Sequence, residues 1–306
     1  MQRLPAAWLM VLATVLFACM GVCVKLASAH FTTATVVICR GAVGAVVIAL
    51  IAHAQRVPLR TSVPAMHVKR GVAGVLALAL WFYAIGRLPL ATAVTLNYMS
   101  SVWMAVFLLI GAAIGRGRRV DGRLVLAVLV GFAGVALVLR PTIDRDQWLA
   151  GLLGLVSGML AAMAYLQVTA LGRAGEPEAR VVFYFSLMGT LGGALAWLAM
   201  GGGGAEDWAQ VPMQGWFELL GVGVFATLAQ LLMTRAYATG STLVNANLQY
   251  LGIVHAFLFG VLLFDDPVTL SAMLGMGLIV ASGMVSARLR PAARAEAATE
   301  SAGGSR

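Results

Sequence analysis

Residues 81–107 read WFYAIGRLPLATAVTLNYMSSVWMAVF, two apolar runs separated by a short break at 86–89. A similar hairpin recurs at residues 233–259, which read MTRAYATGSTLVNANLQYLGIVHAFLF. The two segments align with Leu96-Asn97-Tyr98 over Leu248-Gln249-Tyr250. Pro89 and Gly240 fall in the two breaks, one position apart in this register. A helical hairpin that recurs in an apolar chain is typical of transporters built from two related halves.

The composition predicts a membrane protein. Of the 306 residues, 61% are hydrophobic and only 11% are charged, whereas a soluble domain carries about 25% charged residues. The apolar runs do not alternate as the strands of a membrane barrel do, and each is long enough to cross the hydrocarbon layer as a helix. The net charge of +9 does not indicate nucleic-acid binding, because the basic residues lie in short loops between the runs, where they orient membrane helices.

The runs predict an all-α membrane protein with ten transmembrane helices. Their expected positions are 8–28, 32–53, 70–87, 91–114, 123–139, 149–171, 180–200, 214–237, 242–264 and 268–287. Residues 1–140 and 149–287 form the two five-helix halves in this interpretation. The tail at 288–306, rich in Ala, Ser, Gly and charge, is predicted to be disordered.

The basic residues predict the orientation of the helices. With a cytoplasmic N-terminus, sixteen Lys and Arg residues fall on the inner side and four on the outer side, with Arg40 inside a span. This asymmetry predicts that both termini are cytoplasmic. Because each half has an odd number of spans, the two halves are predicted to be inverted relative to one another.

Several motifs carry a resemblance to a known family: Arg40-Gly41 early in the second span, the stretch ALALWFYAIGRLPLATAVTLNY at 77–98, and the Gly-rich closing segments 131–134 and 275–283. Together with the two repeats, they make the chain resemble the drug/metabolite transporter superfamily, in particular its EamA-type ten-helix members. The resemblance implies an inverted-repeat carrier in the inner (plasma) membrane with a central cavity, moving small metabolites and often exporting them.

Two ionisable residues inside predicted spans are candidates for function. Arg40 could bind a substrate carboxylate bidentately, or it could pair with a backbone carbonyl or reach the outer interface. His255, near the middle of span nine, could bind substrate or relay a proton. Its alternative role is a neutral side chain hydrogen-bonded within the bundle.

Polar and aromatic side chains concentrate on the two echoing hairpins. They suit a cavity that binds a zwitterionic or aromatic solute, although amides also join helices to one another. The predicted substrate contacts, with Arg40 and His255, are Trp81, Tyr83, Asn97, Tyr98, Trp103, Asn245, Asn247, Gln249.

Other kinds of site find no support in the sequence. None of the twelve acidic residues falls at the predicted midplane, so uniport or exchange is easier to support than strong ion coupling. No catalytic constellation, metal-ligand spacing or phosphate-binding glycine loop is present. The sequence therefore predicts a protein without cofactor or metal, whose partners are a small molecule and the lipid bilayer. It leaves the oligomeric state open, with a monomer as one option.

The first functional prediction is a carrier that exports amino acids or related metabolites by alternating access, with a cavity lined by spans three, four, eight and nine. The second is uptake or exchange of a nucleoside-like, phosphorylated or other organic-anion metabolite, for which buried cations would matter more. The third is a membrane-embedded lipid enzyme or scaffold without transport, and the missing catalytic constellation counts against it.

Overall fold

The computed structural model describes residues 5–88, 90–113, 122–139, 147–199, 201, 208–264, 270–271, 273–282 and 284–285. Within these ranges every regular element is helical. The predicted tail at 288–306 and Pro89, the predicted break residue, lie outside them.

The helices follow the apolar runs closely. Twelve are labelled here, with a short 3₁₀ turn at Trp208–Gln210 before the ninth. They are α1 Ala6–Ala27, α2 Thr33–Ala54, α3 Pro64–Arg87, α4 Leu90–Tyr98, α5 Ser100–Ala113, α6 Gly122–Leu139, α7 Trp148–Arg173, α8 Glu178–Ala199, α9 Met213–Thr239, α10 Thr242–Leu248, α11 Leu251–Phe264 and α12 Met273–Ser282.

In the described part of the chain, seven helical segments are long and apolar enough to cross a membrane: α1, α2, α3, α7, α8, α9, and α10 with α11 taken together. Shorter apolar helices cover Leu96–Gly111, Val125–Gly134 and Met273–Ser282. The chain is therefore an all-helical, multi-pass membrane protein, while the count of ten spans and the orientation of the termini stay predictions.

The long helices pair across the middle of the chain rather than with their sequence neighbours. The most extensive contacts join α1 to α9, α2 to α8 and α3 to α7. In the predicted repeat, α1 corresponds to α7, α2 to α8 and α3 to α9. Exchanging the halves therefore turns the α1–α9 pair into the α7–α3 pair and leaves α2–α8 unchanged, as a two-fold relation requires.

The predicted fourth and ninth spans are each two helices rather than one. The first breaks at Met99, between α4 and α5, and the second at Gln249-Tyr250, between α10 and α11. In the repeat alignment Tyr98 lies over Tyr250, so the two breaks fall within one or two positions of each other. The two breaks are also linked, because Ser101 donates a 2.5 Å hydrogen bond to the carbonyl of Ala246. A broken helix is tolerated in a membrane where other protein groups form hydrogen bonds with the backbone N–H and C=O groups that the break leaves unpaired.

Helix α3 begins six residues before the predicted start of the third span. Pro64 stands in its first turn, where its fixed φ and missing N–H favour helix initiation. Arg70, counted above among the basic residues of the inner side, therefore lies well inside the helix, and only 2% of its surface is exposed.

Lys25 holds the opposite end of α3. Its ammonium donates to the carbonyls of Ile85 at 3.2 Å and Leu88 at 2.9 Å. The last carbonyls of a helix have no partner within the helix, and a lysine that binds them also complements the helix dipole. Lys25 thus ties the end of α1 to the α3–α4 connection.

Candidate functional site

A narrow cavity of about 50 Å³ lies between the two halves. A single water needs roughly 10–15 Å³ by this measure, so the cavity has room for only a few small groups. Helices α1, α2, α3, α4, α7, α8 and α9 contribute side chains to it. Among them are Arg40, Arg70, Trp81, Asn97, Tyr165, Phe185 and Gln230.

Two buried guanidinium groups meet at one aromatic ring in this cavity. The guanidinium carbon of Arg40 lies 4.9 Å from the ring centroid of Phe185, and that of Arg70 lies 4.0 Å from it. Arg40 and Arg70 are 4% and 2% exposed. A cation over an aromatic face is stabilised by the ring quadrupole. Phe185 therefore supports both cations from α8.

Each arginine is followed by a glycine that brings its helix against α8. A Cβ on Gly41 would lie 2.5 Å from the backbone nitrogen of Thr190, an approach that only a residue without Cβ allows. A Cβ on Gly71 would meet the side chain of Met188 on α8. The repeated Arg-Gly pair thus places two helices against α8 and directs both guanidinium groups to the same ring.

Gly74 makes room for the second guanidinium. A Cβ at this position would meet Nη1 of Arg70 and would lie 2.9 Å from the Phe185 ring. Because Gly74 is one turn after Arg70, the arginine side chain runs along its own helix towards the C-terminal end. The sequence Arg70-Gly71-Val72-Ala73-Gly74 therefore accommodates a buried guanidinium that larger residues would displace.

Hydrogen-bond donors in the cavity outnumber their partners. Within the described ranges, no acceptor is bonded to Nε of Arg40, to Nε and Nη1 of Arg70, or to Nε1 of Trp81, although these atoms are buried. Among the described residues that line the cavity, none is acidic. Buried donors are expensive to leave unpaired, so the cavity is suited to a ligand rich in acceptors.

Neutral polar groups complete the lining. Asn97 donates to the hydroxyl of Ser157 at 3.1 Å, which fixes its amide at the end of α4. Tyr165 is stacked on Tyr237, with ring centroids 5.5 Å apart and planes 12° apart. Gln230 is buried on α9. These side chains surround the arginines with groups that can donate or accept.

Of the predicted substrate contacts, Arg40, Trp81 and Asn97 line this cavity. Tyr83 instead lines a larger cavity of about 720 Å³ between α2, α3 and α8. There its ring lies 3.7 Å from the guanidinium carbon of Arg87. The two cavities lie on different faces of α3.

The polar residues of the predicted ninth span form contacts within the bundle. Asn245 donates to the carbonyl of Ala236 at 2.6 Å, and Asn247 donates to that of Ser282 at 2.8 Å. Gln249 accepts from the hydroxyl of Tyr237 at 3.2 Å. No residue of this span is among those that line the central cavity.

The remaining three candidates also lie away from the lining. Tyr98 is buried against Gly252, where a Cβ would lie 2.5 Å from the Tyr98 hydroxyl. Trp103 stacks on Phe107 with centroids 6.1 Å apart. His255 is half-buried on α11, and its Nδ1 has no partner among the described residues.

Comparison with known proteins agrees with this architecture. The model of the EamA-like transporter family matches residues 4–140 and again residues 144–287. The chain belongs to this family. Two successive matches to one family model also correspond to two related segments of similar length.

Individual proteins resemble this EamA-like transporter over most of its length. The pseudopaline exporter CntI of Pseudomonas aeruginosa is 32% identical over 276 residues, which are 89% of this chain and 93% of that protein. A riboflavin transporter of Rhizobium johnstonii is 30% identical over 181 residues, 59% of this chain and 56% of that protein. One solved crystal structure superposes with a TM-score of 0.75 at 17% identity, covering 93% of this chain and 96% of the other. The protein is a membrane transporter.

The sequence did not single out several cavity residues of this EamA-like transporter. Arg70 was counted only among the basic residues at the helix ends, because its span was taken to start at that residue, whereas α3 starts at Pro64. The signal that could have found it is the second Arg-Gly pair, which repeats Arg40-Gly41. Phe185 and Tyr165 carry no comparable signal, because an aromatic residue in an apolar helix has many uses.

An ionic cluster joins the two halves of this EamA-like transporter at one end, the predicted cytoplasmic one. Glu176, in the α7–α8 connection, accepts from Nε2 of His67 at 2.9 Å, from Arg180 at 3.0 Å and from Thr61 at 3.1 Å. Arg180 also donates to the carbonyl of Pro58 at 2.7 Å. His67 lies one turn before Arg70 on α3, so the cluster closes this end of the bundle next to the cavity.

An aromatic cluster joins the halves of the transporter at the other end. Phe31, between α1 and α2, lies 5.3 Å from Trp216 and 6.1 Å from Trp208 by ring centroids. The two tryptophans lie 5.8 Å apart. Both ends of the cavity are therefore bridged by contacts between the halves.

The stability of the EamA-like transporter should depend on pH through Glu176. Burial raises the pKa of this carboxyl, but hydrogen bonds from His67, Thr61 and Arg180 and the charge of Arg180 outweigh burial and hold the pKa below its ordinary value. The unfolded chain therefore takes up the proton at a higher pH than the folded chain. We expect the thermal midpoint in detergent to fall as the pH is lowered from about 6 to about 4.

Two variants isolate the contribution of Glu176 to the pH-dependence of the thermal midpoint. Glu176→Gln should show a smaller loss of thermal midpoint between these pH values. Glu178→Gln should behave like the unmodified protein, because Glu178 is more exposed and its ion pair with Arg235 is long, at 3.7 Å. An unchanged pH-dependence in Glu176→Gln would contradict the assignment.

Proposed function

We propose that this transporter exports amino acids or related small carboxylate metabolites across the inner membrane by alternating access. The observation that carries the proposal is the excess of buried donors, on Arg40, Arg70 and Trp81, in a cavity between the two halves. A carboxylate provides acceptors for guanidinium and indole N–H groups. The export direction is supported by the similarity to the Pseudomonas aeruginosa protein CntI, which is named an exporter.

Alternating access is supported by the size of the cavity and by its two closures. The space of about 50 Å³ is narrow, and separation of the halves would widen it for a substrate. The ionic cluster around Glu176 and the aromatic cluster around Phe31 each join one half to the other. Opening towards one side requires one cluster to break while the other holds.

The paired contacts of the long helices support an inverted repeat of two five-helix halves, at 1–140 and 149–287. In this proposal the predicted fourth and fifth spans and their counterparts complete ten spans, with both termini in the cytoplasm. The two arginines in the cavity lining favour exchange or uniport over coupling to a cation, because they repel a cation. Uptake or exchange of another organic anion is the second candidate, which the presence of two arginines in the cavity favours.

Counterflow in proteoliposomes tests the proposal. We expect labelled amino acids to accumulate in vesicles loaded with the unlabelled compound, without a pH gradient and not in empty liposomes. Trp81→Ala should reduce this accumulation at least about tenfold, because it removes a donor and an aromatic wall from the cavity. Trp148→Ala should not, because Trp148 is 62% exposed at the start of α7.

The outcomes separate the candidates. Accumulation of amino acids that is lost in Trp81→Ala supports the exporter and its cavity. Accumulation only of nucleoside-like or phosphorylated compounds would favour the second candidate over the first. No flux with any of these compounds, in protein that is folded and correctly inserted, would contradict the proposed function and favour a protein without transport activity.

A further inference from the structure

The two cavity arginines share a region of low polarity without a described counter-charge. Arg40 and Arg70 are close enough to repel each other, and neither forms an ion pair within the described part of the chain. The ionic contacts recorded there involve Glu176 and Glu178, at the end of the bundle. The region around Phe185 therefore carries two positive charges with no carboxylate beside them.

The surrounding side chains compensate these charges only in part. A cation–π contact is worth about 2 kcal/mol when it is desolvated. Burying one ion without a partner costs several kcal/mol even after relaxation, so Phe185 cannot offset two of them. Tyr165 lies near enough to interact with both arginines, but a neutral phenol carries no charge. The positive charge that stays uncompensated favours any ligand that brings negative charge into the cavity.

We propose that the substrate carries two negative charges, one for each guanidinium, as a dicarboxylate or a phosphate monoester does. This inference rests on the proposed function and narrows it. An ordinary zwitterionic amino acid has a single carboxylate, so it would leave one arginine uncompensated and bring an ammonium group near it. A dianion neutralises both arginines and accepts from their free donors.

The two Arg-Gly pairs place positive charge at two positions in the cavity, so the site should recognise a ligand with negative charge at two positions. Gly41 and Gly71 hold two different helices against α8, so the guanidinium groups approach the cavity from different helices. A planar guanidinium binds carboxylate or phosphate oxygens in a bidentate fashion. The Trp81 indole, also without a described partner, provides a further donor for a neutral acceptor on the same substrate.

Matched pairs of probes test the inference. Aspartate and asparagine differ by one charge at nearly equal size, as do glutamate and glutamine. Counterflow and binding, the latter measured by the shift in thermal midpoint, would be compared for each pair in the purified full-length protein. Glycerol phosphate, whose phosphate group carries both charges, is compared with uncharged glycerol to test a phosphate monoester. We expect at least a tenfold preference for the compound with two negative charges in each pair.

Arg70→Gln should reduce the preference for the compound with two negative charges over its less charged analogue to a ratio near one. Lys69→Gln is the matched control, because it removes one positive charge from the adjacent, exposed position of α3 and should preserve the ratio. Preference for aspartate supports a dicarboxylate, and preference for glycerol phosphate supports a phosphate monoester. The ratio is informative even if Arg70→Gln lowers the overall rate.

The inference and the proposed function fail in different ways. Equal transport of asparagine and aspartate, or a ratio unchanged in Arg70→Gln, would overturn the inference while the transporter proposal stands. Charge-selective binding without flux would support the site and overturn transport of these compounds. Neither binding nor flux with any probe would overturn both.

Discussion

Replacing Arg40 by glutamine is expected to reduce counterflow at limiting substrate concentration by about 10- to 100-fold. Hydrogen bonds to a charged group are worth about 1.5–3 kcal/mol, which corresponds to that range. The effect should appear as a higher KM, because the guanidinium would hold a substrate that glutamine binds more weakly. Initial rates over a range of substrate concentrations measure it.

The thermal midpoint separates a substrate contact from a structural role for Arg40. Its Nε has no partner among the described residues, so removing the charge takes away few internal contacts and relieves repulsion from Arg70. We therefore expect the midpoint of Arg40→Gln to stay constant or rise. Arg173→Gln, which changes an exposed arginine at the end of α7, should affect neither quantity. A fall in midpoint with unchanged KM would show that Arg40 is structural.

Gly41→Ala is expected to destabilise the protein strongly. Its Cβ would lie 2.5 Å from the backbone nitrogen of Thr190 and 2.7 Å from the carbonyl oxygen of Ser186. Backbone atoms of a neighbouring helix cannot rotate away as a side chain can, so α2 and α8 must separate. Overpacking of this kind costs about 1–3 kcal/mol, and the thermal midpoint in detergent should fall by several degrees.

Gly189→Ala provides the control on the same helix pair. Its Cβ would meet only the Cα of Gly41, at an ordinary 3.9 Å. Since alanine favours helix over glycine by about 1 kcal/mol, this change should leave the midpoint unchanged or raise it. The two substitutions are therefore predicted to have opposite signs. Equal midpoints for the two variants would contradict the close approach of α2 and α8.

Part of the site follows from the sequence and part does not. Arg40 stood out because an arginine in an apolar run is costly, and Trp81 and Asn97 because they are polar or aromatic at depth. Arg70 was missed because a span boundary read from hydropathy falls at the first charged residue, although the helix continues to Pro64. The broken helices were missed because no proline or glycine marks Met99 or Gln249.

The amides of the predicted ninth span show another limit of sequence patterns. Asn245 and Asn247 resemble Asn97 in sequence, because each is an amide within an apolar run. Their side chains, however, donate hydrogen bonds to the carbonyls of Ala236 and Ser282. An amide that lines a cavity and one that joins two helices look alike in sequence. Their substrate roles stay predictions, and the contacts give each of them a structural task in addition.

The sequence by itself determined that the chain crosses a membrane as helices and that a hairpin recurs in it, because hydrophobic length and repetition are local properties. Only the tertiary structure decided which polar groups share a cavity. Arg40 on α2 and Arg70 on α3 meet over Phe185 on α8, a contact between residues far apart in the chain. Such contacts depend on which helices pack together and on how closely their glycines allow them to approach. Neither property can be read from a single segment of the sequence.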